Sequence, residues 1–263
     1  MKKLLLHQEF KMMKEYNIES VTTKELRNKT FTSFSFLILF FLMIILGWKW
    51  LYMQPANEGA LEPLRKVMNF DEMFFGRFYS PNHLAKTFPI NAAAKTPRVN
   101  GGDGLSDDFD PSKWNLKIAK KPGDTLFVTL DEIKKLPKTE LIFDFKCIEG
   151  WSQVTHWSGV KFSDFAAAYH LQDQEQYKYA GLVTPDNGYY VGIDMPSMLH
   201  PQTLLCYEMN DKPLPMDQGY PLRLIIPVKY GIKHLKRIGT ISFSNERPKD
   251  FWYERGYDYY SGL

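Results

Sequence analysis

The hydrophobic pattern sets one segment apart from the rest of the chain. Residues 31–48 carry no charge, and the apolar run continues past Lys49 to Leu51. At about 1.5 Å rise per residue, roughly twenty helical residues match the ~30 Å hydrocarbon core of a bilayer. We therefore predict a transmembrane helix over 31–53. A cleaved signal peptide is the alternative, but this run is longer than the apolar region of such peptides and no small-x-small cleavage motif follows it.

The flanks of this segment predict its orientation. Lysine and arginine are denser in residues 1–30 than just after the span, and Trp48, Trp50 and Tyr52 lie where an interfacial aromatic belt is expected. The pattern predicts a cytoplasmic N-terminal tail over 1–30 and a large domain on the other side of the membrane. The basic excess behind the net charge of +3 lies in this tail and span, so the large domain is close to neutral.

Most of the remaining pattern has the period of strands. Apolar or alternating runs, separated by Pro, Gly and Asn turns, cover 114–118, 125–128, 141–147, 189–193, 203–209, 222–228 and 237–243. A capping box at 129–132 predicts one short helix, and Ser163 as a cap predicts another. We assign 54–72 to a linker with a short helical stretch. Residues 73–263 are predicted to form one α+β domain with more strand than helix.

One strand-like run carries Cys147 to its end, after which the chain breaks at Gly150. Three roles are open to this cysteine. It could be a nucleophile activated by His156, an inert buried residue, or a thiolate ligand of a metal. Its position at the end of a strand, among polar and aromatic residues, favours the role of metal ligand.

The second cysteine, Cys206, lies inside an apolar run and is predicted to be a core residue. With two cysteines, no disulfide framework is indicated, and no CxxC or His/Cys cluster has zinc spacing. The acidic loop 101–108 lacks the EF-hand spacing, which favours a solvated turn over a calcium site. Basic residues do not form a stripe interleaved with aromatics, so nucleic acid is not a predicted partner.

A second segment, 217–236, could bind an anion. Arg223 lies between two prolines, and Lys229, Lys233 and Lys236 follow through a loop that contains glycine. Such fixed donors suit a phosphate or another dense anion. A solvated charged face is the alternative, but the combination with a cysteine at a strand end favours the anion site.

Four motifs together resemble the molybdopterin-binding domain of the sulfite oxidase family: 145–152, 157–160, 205–215 and 219–223. The resemblance covers roughly 74–252 and is greatest to the branch of bacterial periplasmic methionine sulfoxide reductase catalytic subunits. It implies a mixed α/β fold that holds one molybdenum-molybdopterin cofactor, with Cys147 as the protein thiolate on the metal. In that chemistry the metal carries a two-electron oxygen-atom transfer, while the protein sets access and electrostatics.

The resemblance also implies the roles of other residues. The implied cofactor-binding residues are Tyr79, Ser80, Cys147, Thr184, Gln218, Arg223, His234, Leu235 and Lys236, with His234, Leu235 and Lys236 on the phosphate and Arg77 near the pterin. Asp194 and Tyr220 are assigned as polar catalytic groups near the open metal position. Capping of the turn at Met195 is the alternative role for Asp194.

The chain departs from the family pattern in two places. Position 218 is glutamine where the family usually has asparagine or histidine, and Arg27-Asn28-Lys29 is not the twin arginine that exports folded molybdenum enzymes. Either export uses an atypical signal or the topology is inverted, and membrane attachment holds in both cases. The predicted location is the inner membrane, as a single-pass protein with its catalytic domain in the periplasm.

The residues after Cys147 also bear on the substrate. Residues 148–151 are acidic and aromatic, whereas oxidases of sulfite need positive charge to attract a dianion. A neutral sulfoxide fits better, so we expect a membrane-anchored oxidoreductase acting on a small S- or N-oxide. A sulfite dehydrogenase and a tethered binding module without metal are the alternatives. No CxxCH haem motif occurs, so electrons would pass to a separate membrane or c-type cytochrome.

Overall fold

The structure, a computed structural model, describes residues 22–99 and 101–262 together with Leu5, His7 and Lys11. Most of the predicted 1–30 tail therefore lies outside the described residues. The chain divides into two compact units, Met1–Pro55 and Ala56–Leu263.

The first unit contains the helix α1, Thr23–Tyr52. It begins with a capping box, in which Thr22 Oγ1 accepts from the Glu25 N–H at 3.2 Å and the Glu25 carboxylate accepts from the Thr22 N–H at 2.9 Å. This cap lies before the apolar run, so the helix starts earlier than the predicted span. By length and composition α1 could cross a membrane, and a signal sequence near the N-terminus would meet the same criterion.

Within 56–99 and 101–262, the second unit contains two five-stranded sheets and a small hairpin. One sheet has the order β10-β9-β6-β5, with β11 also paired to β9, and the other has the order β4-β3-β12-β7-β8. The strands are β1 (Ala56–Asn57), β2 (Ala60–Leu61), β3 (Leu116–Lys121), β4 (Asp124–Val128), β5 (Lys138–Lys146), β6 (Ser152–Lys161), β7 (Tyr179–Val183), β8 (Tyr190–Asp194), β9 (Leu204–Met209), β10 (Lys212–Pro213), β11 (Arg223–Ile225) and β12 (Thr240–Ser244). The helices are α2 (Glu62–Phe75), α3 (Leu130–Lys134), α4 (Phe162–Ala168), α5 (Gln172–Glu175) and α6 (Met195–Met198). The mixed fold with more strand than helix in this unit agrees with the sequence prediction.

The hairpin of β5 and β6 positions the predicted cysteine. Its register runs without a break from Lys138 opposite Val160 to Lys146 opposite Ser152. Along β5 the side chains of Leu141, Phe143 and Phe145 are buried while their neighbours are more exposed, which is the period-2 pattern of a strand with one face in the core. Cys147 is the residue directly after this strand.

Two buried clusters hold the sheets together. The smaller one joins the inward side chains of β5 to Trp157 and Cys206. The larger one includes Ile118, Leu182 and Ile241 from the second sheet and Leu224 from β11, with α4 packed against it. Burial of these apolar side chains is the main favourable contribution to folding.

The segment predicted as a linker, 54–72, is mostly ordered within the second unit. Arg65 of α2 is 1% exposed. Its guanidinium donates to the carbonyl oxygens of Asn57, Glu58, Tyr253 and Tyr257 at 2.6–3.4 Å. These bonds join the start of the unit to its end, and α2 corresponds to the short helical stretch predicted in this segment.

The two predicted short helices had different outcomes. The capping box of Thr129 and Glu132 is confirmed at the start of α3. The serine cap is wrong: α4 begins at Phe162, its N-cap is Lys161 without a side-chain cap bond, and Ser163 lies inside the first turn. The chain enters this helix directly from β6, so the strand and not a serine sets its start.

Candidate active site

A tight turn holds Cys147 at the end of β5. The Cys147 N–H donates to the Trp151 carbonyl at 2.9 Å, and the Gly150 N–H donates to the Cys147 carbonyl at 3.1 Å. Gly150 has φ +89, a conformation that glycine adopts without a steric penalty. The turn leaves the thiol 4% exposed and directs it into a cleft.

This cleft collects residues from five distant parts of the chain. Cys147 lines it together with Glu149, Tyr189, His234, Lys236 and Trp252. The predicted metal ligand and two residues of the predicted phosphate site therefore line one cleft.

His234 lies in the cleft wall as a neutral ring. Its Nδ1 accepts from the Ile226 N–H at 3.4 Å, and its Nε2 is 3.1 Å from the Lys229 carbonyl oxygen. The ring is packed against Phe143 and Phe145, with centroids 6.2 and 4.7 Å away. Burial, aided by the nearby Arg223 charge, lowers the His234 pKa to about 3. His234 therefore contributes shape and not positive charge.

Leu235 also has a structural position. Its side chain is fully buried, its N–H donates to the Lys233 carbonyl and its carbonyl accepts from the Leu224 N–H. Of the three residues implied for the phosphate, Lys236 is the one that brings a cationic side chain to the cleft.

Lys236 is held by carbonyl oxygens. Its Nζ donates to the carbonyls of Gly101 at 2.8 Å and Asp217 at 3.0 Å. Burial and the charge of Arg223 lower the Lys236 pKa to about 7. A nearby anion would restore the charged form, because an opposite charge favours it.

Arg223 is a second buried cation close to this cleft. Its Nη1 donates to the carbonyl and to Oε1 of Gln218, at 3.0 and 2.8 Å, and the guanidinium stacks over Trp157 at 4.6 Å. Burial lowers the Arg223 pKa to about 10, and no atom of the described residues is a hydrogen-bond partner of its Nε. Within the described residues, neither Arg223 nor Lys236 forms a salt bridge.

These observations test whether the implied cofactor suits the residues present. A buried charge is normally paired, and here two cations lie close to a cleft without a carboxylate ion pair. The thiol of Cys147 is a donor for a soft metal. The residues therefore fit a cofactor that offers both a soft metal and an anionic group.

The structure places several other predicted residues away from this cleft. Asp194 caps α6, where its Oδ2 accepts from the Ser197 N–H at 3.1 Å and its Oδ1 accepts from Lys229 Nζ at 2.6 Å. Capping, the alternative given above, is thus the role seen for Asp194. Tyr79 and Ser80 line a different cleft, and the Tyr79 hydroxyl donates to the Pro196 carbonyl at 2.7 Å.

Thr184 and Tyr220 support neighbours of the cleft. Thr184 Oγ1 accepts from the Tyr189 N–H at 3.0 Å and donates to Asp186 at 2.6 Å, which fixes the backbone from which Tyr189 enters the cleft. Tyr220 packs against the smaller buried cluster, and its carbonyl accepts from Arg237 Nε at 3.1 Å.

Sequence reasoning missed Tyr189, Trp252 and Asp103 as cleft residues. Tyr189 donates its hydroxyl proton to the Ile232 carbonyl at 2.5 Å, and burial raises its pKa. None of the three lies in a motif, and each reaches the cleft by long-range packing. The high aromatic content of the chain was the available signal for Tyr189 and Trp252. A composition does not show which positions line a site.

Comparisons with known proteins identify the family of the chain. A family model described as the oxidoreductase molybdopterin binding domain matches residues 104–252. The chain is 31% identical over 208 residues to the putative protein-methionine-sulfoxide reductase subunit YedZ1 of Azospira oryzae, with 78% of each chain covered.

Two further relatives are protein-methionine-sulfoxide reductase catalytic subunits named MsrP. Identity is 32% to that of Campylobacter jejuni, covering 56% of this chain and 54% of the relative. It is 33% to that of Xanthomonas campestris, covering 57% and 53%. The chain thus spans about half the length of these MsrP relatives.

Among solved structures, the sulfane dehydrogenase SoxCD from Paracoccus pantotrophus is similar, with a TM-score of 0.46 and 16% identity over 53% of this chain and 40% of that chain. The family match includes Cys147, Arg223 and Lys236. The chain therefore belongs to the molybdopterin-binding oxidoreductases of the sulfite oxidase family and is an enzyme of that class.

Proposed function

We propose that this chain is a membrane-anchored, mononuclear molybdenum oxidoreductase that transfers an oxygen atom to or from a small S- or N-oxide, in the manner of a sulfoxide reductase. The bound cofactor would supply the two-electron redox chemistry. Cys147 would hold the molybdenum, and Lys236 with Arg223 would hold the anionic part of the cofactor. The names of the relatives support a sulfoxide substrate.

The observation that carries the substrate class is the charge at the cleft entrance. Glu149 is exposed beside Cys147, and its Oε2 accepts from Trp151 Nε1 at 3.0 Å. The cation on the same cleft, Lys236, is 7% exposed and directed to carbonyls. A carboxylate at the entrance repels an anion such as sulfite, whereas a neutral sulfoxide is not affected.

The helix α1 and the missing haem motif support the remaining parts of the proposal. A single apolar helix would hold the catalytic domain at the periplasmic face of the inner membrane. Electrons would come from a separate membrane or c-type cytochrome, because the chain has no CxxCH motif. Protease accessibility in intact spheroplasts checks the orientation, since a periplasmic domain is digested from outside.

The test uses the full chain purified from its native membrane in detergent. We expect molybdenum and pterin near one per chain, oxidation of a reduced dye by methionine sulfoxide, and little reduction of cytochrome c by sulfite. Faster sulfite oxidation than sulfoxide reduction would favour a sulfite dehydrogenase instead. Protein that lacks both molybdenum and pterin would favour the tethered binding module.

A further inference from the structure

A cluster of three side chains lies on the face of the first sheet opposite the smaller buried cluster. Glu140 belongs to β5, His156 to β6, and Asp211 to the turn between β9 and β10. Because β6 is paired to β5 on one side and to β9 on the other, these residues from distant parts of the sequence are neighbours. Their ligand atoms all lie within 4.8 Å of one another.

His156 is the buried member of this cluster. Its side chain is 2% exposed, while those of Glu140 and Asp211 are 53% and 66% exposed. Ala94 lines the same cleft as His156. The Ala94 N–H donates to the Val154 carbonyl at 3.0 Å, and Asn210 Nδ2 donates to the Ala94 carbonyl at 3.0 Å. The imidazole is therefore fixed, whereas the two carboxylates can adjust.

The Nε2 atom of His156 lies close to both carboxylates but meets hydrogen-bond geometry with neither. It is 2.6 Å from Glu140 Oε1 and 3.8 Å from Asp211 Oδ1, and among the described residues it has no hydrogen-bond partner. A buried polar atom left unpaired is costly. A ligand that accepts a lone pair from the nitrogen and one from each carboxylate would remove that cost.

The charges of the cluster favour a cation as that ligand. Within the described part of the chain, neither Glu140 nor Asp211 forms a salt bridge with lysine or arginine, and the nearby Lys138 is paired with Glu208. Two carboxylates near one point repel each other. A divalent ion between them turns this repulsion into attraction.

We propose that Glu140, His156 and Asp211 form a binding site for a divalent metal ion of the zinc type. One imidazole and two carboxylates are donors that Zn²⁺ accepts at about 2.0–2.2 Å, with a fourth position for water. Small rotations of the two exposed carboxylates bring their oxygens to these distances. The site binds Zn²⁺ and ions of similar preference, such as Co²⁺.

This metal site is separate from the Cys147 cleft. Cys147 directly follows β5 and is seven residues after Glu140, which corresponds to about 23 Å of extended chain. The ion joins β5, at the sheet edge, to β6 and to the β9–β10 turn. Its effect is therefore on the stability of the sheet, while the oxidoreductase chemistry occurs at the other end of the strand.

The test measures binding of zinc to the full chain in detergent, loaded with molybdenum so that the Cys147 thiol is engaged. The Cys147→Ala variant is measured in parallel to remove that thiol. We expect about one Zn²⁺ per chain in both proteins by calorimetry and elemental analysis. Co²⁺ is expected to give the visible absorption of an ion in a site of low coordination number, without sulfur charge-transfer bands.

Substitutions locate the site. His156→Gln is expected to abolish binding, while Glu140→Gln and Asp211→Asn each weaken it by more than about 10-fold, because even loss of an outer-shell partner costs about 10- to 100-fold. Both acidic side chains are exposed, so these two variants keep the fold. Asp144→Asn, on the same strand and face, and His170→Asn are the matched controls and are expected to bind zinc like the parent chain.

Stability gives an independent readout. An ion that binds only the folded state raises the melting temperature, so zinc should raise it in the parent chain and not in Glu140→Gln. Absence of stoichiometric zinc binding, or binding that persists unchanged in both Glu140→Gln and Asp211→Asn, overturns the proposal. In the first case the three residues are neighbours on the sheet that bind no metal.

Discussion

The two cysteines of this chain are similarly buried but differ in what surrounds them. Cys206 lies in the middle of β9, between β6 and β11, and its Sγ donates to the Glu208 carbonyl at 3.1 Å. Burial raises its pKa to about 12, which keeps the thiol protonated. Cys147 lies one residue past the end of β5, in the wall of an open cleft.

This difference shows that burial alone does not decide what a cysteine does. Their exposed fractions are 4% for Cys147 and 0% for Cys206. A thiol inside a strand has neighbours on both sides and cannot meet a ligand, whereas a thiol at a strand end can, because the ladder of paired residues stops there. The sequence prediction that Cys206 is a core residue is confirmed.

The largest expected effect comes from Cys147→Ala. Without the thiolate, molybdenum content should fall from near one per chain to near zero, and oxygen-atom transfer should fall to background. Elemental analysis and sulfoxide-dependent dye oxidation measure both quantities. Full molybdenum and activity in this variant would show that the metal ligand is a different residue.

The next largest effect is expected from Lys236→Met. A hydrogen bond to a charged group contributes about 1.5–3 kcal/mol, so loss of this one should weaken cofactor retention roughly 10- to 100-fold. Pterin content after dialysis measures retention, with the exposed Lys117→Met as the control. Equal retention in the two variants would exclude Lys236 from the anion site.

Lys236 is also expected to make the free energy of unfolding depend on pH. Burial lowers its pKa to about 7 in the folded chain, below the ordinary lysine value of about 10.4. Between these values the unfolded chain binds the extra proton, so the free energy of unfolding of cofactor-free protein should rise with pH from about 7 to about 10. Denaturant titrations at several pH values measure this, and Lys236→Met should reduce the slope.

A smaller effect is expected at the cleft entrance. Glu149→Arg should shift the ratio of sulfite to sulfoxide turnover by about tenfold towards the anion, because local positive charge raises the association rate of anions. The shift should decrease at high salt, where charges are screened. Glu246→Arg, at a distant exposed position, is the control, and an unchanged substrate ratio in Glu149→Arg would contradict the charge argument.

Cys206→Ala is expected to have the smallest effect on function. Removing one buried sulfur atom should lower the free energy of unfolding by about 1 kcal/mol through lost packing. Molybdenum content should stay at the parent value, because Cys206 does not line the cleft. Loss of metal in a folded Cys206→Ala protein would remove the distinction between the two cysteines.

The sequence by itself determined the features that depend on near neighbours. Alternation along β5 placed Cys147 at a strand end, and the pair Thr129 and Glu132 predicted the start of α3. The apolar run of α1 marked a possible membrane span. These signals are local because strand period, capping bonds and helix length involve residues only a few positions apart.

Tertiary structure decided which distant side chains meet. It paired Asp194 with Lys229, made His234 a neutral wall of the cleft, and placed Tyr79 beside another cleft. It also brought Glu140 and Asp211 to His156 across three strands. The sequence separation of these residues does not predict their contacts, because the contacts follow from strand order and from the packing of distant segments. The roles assigned to Tyr220, Gln218 and Thr184 stay predictions, since they depend on contacts with the proposed cofactor.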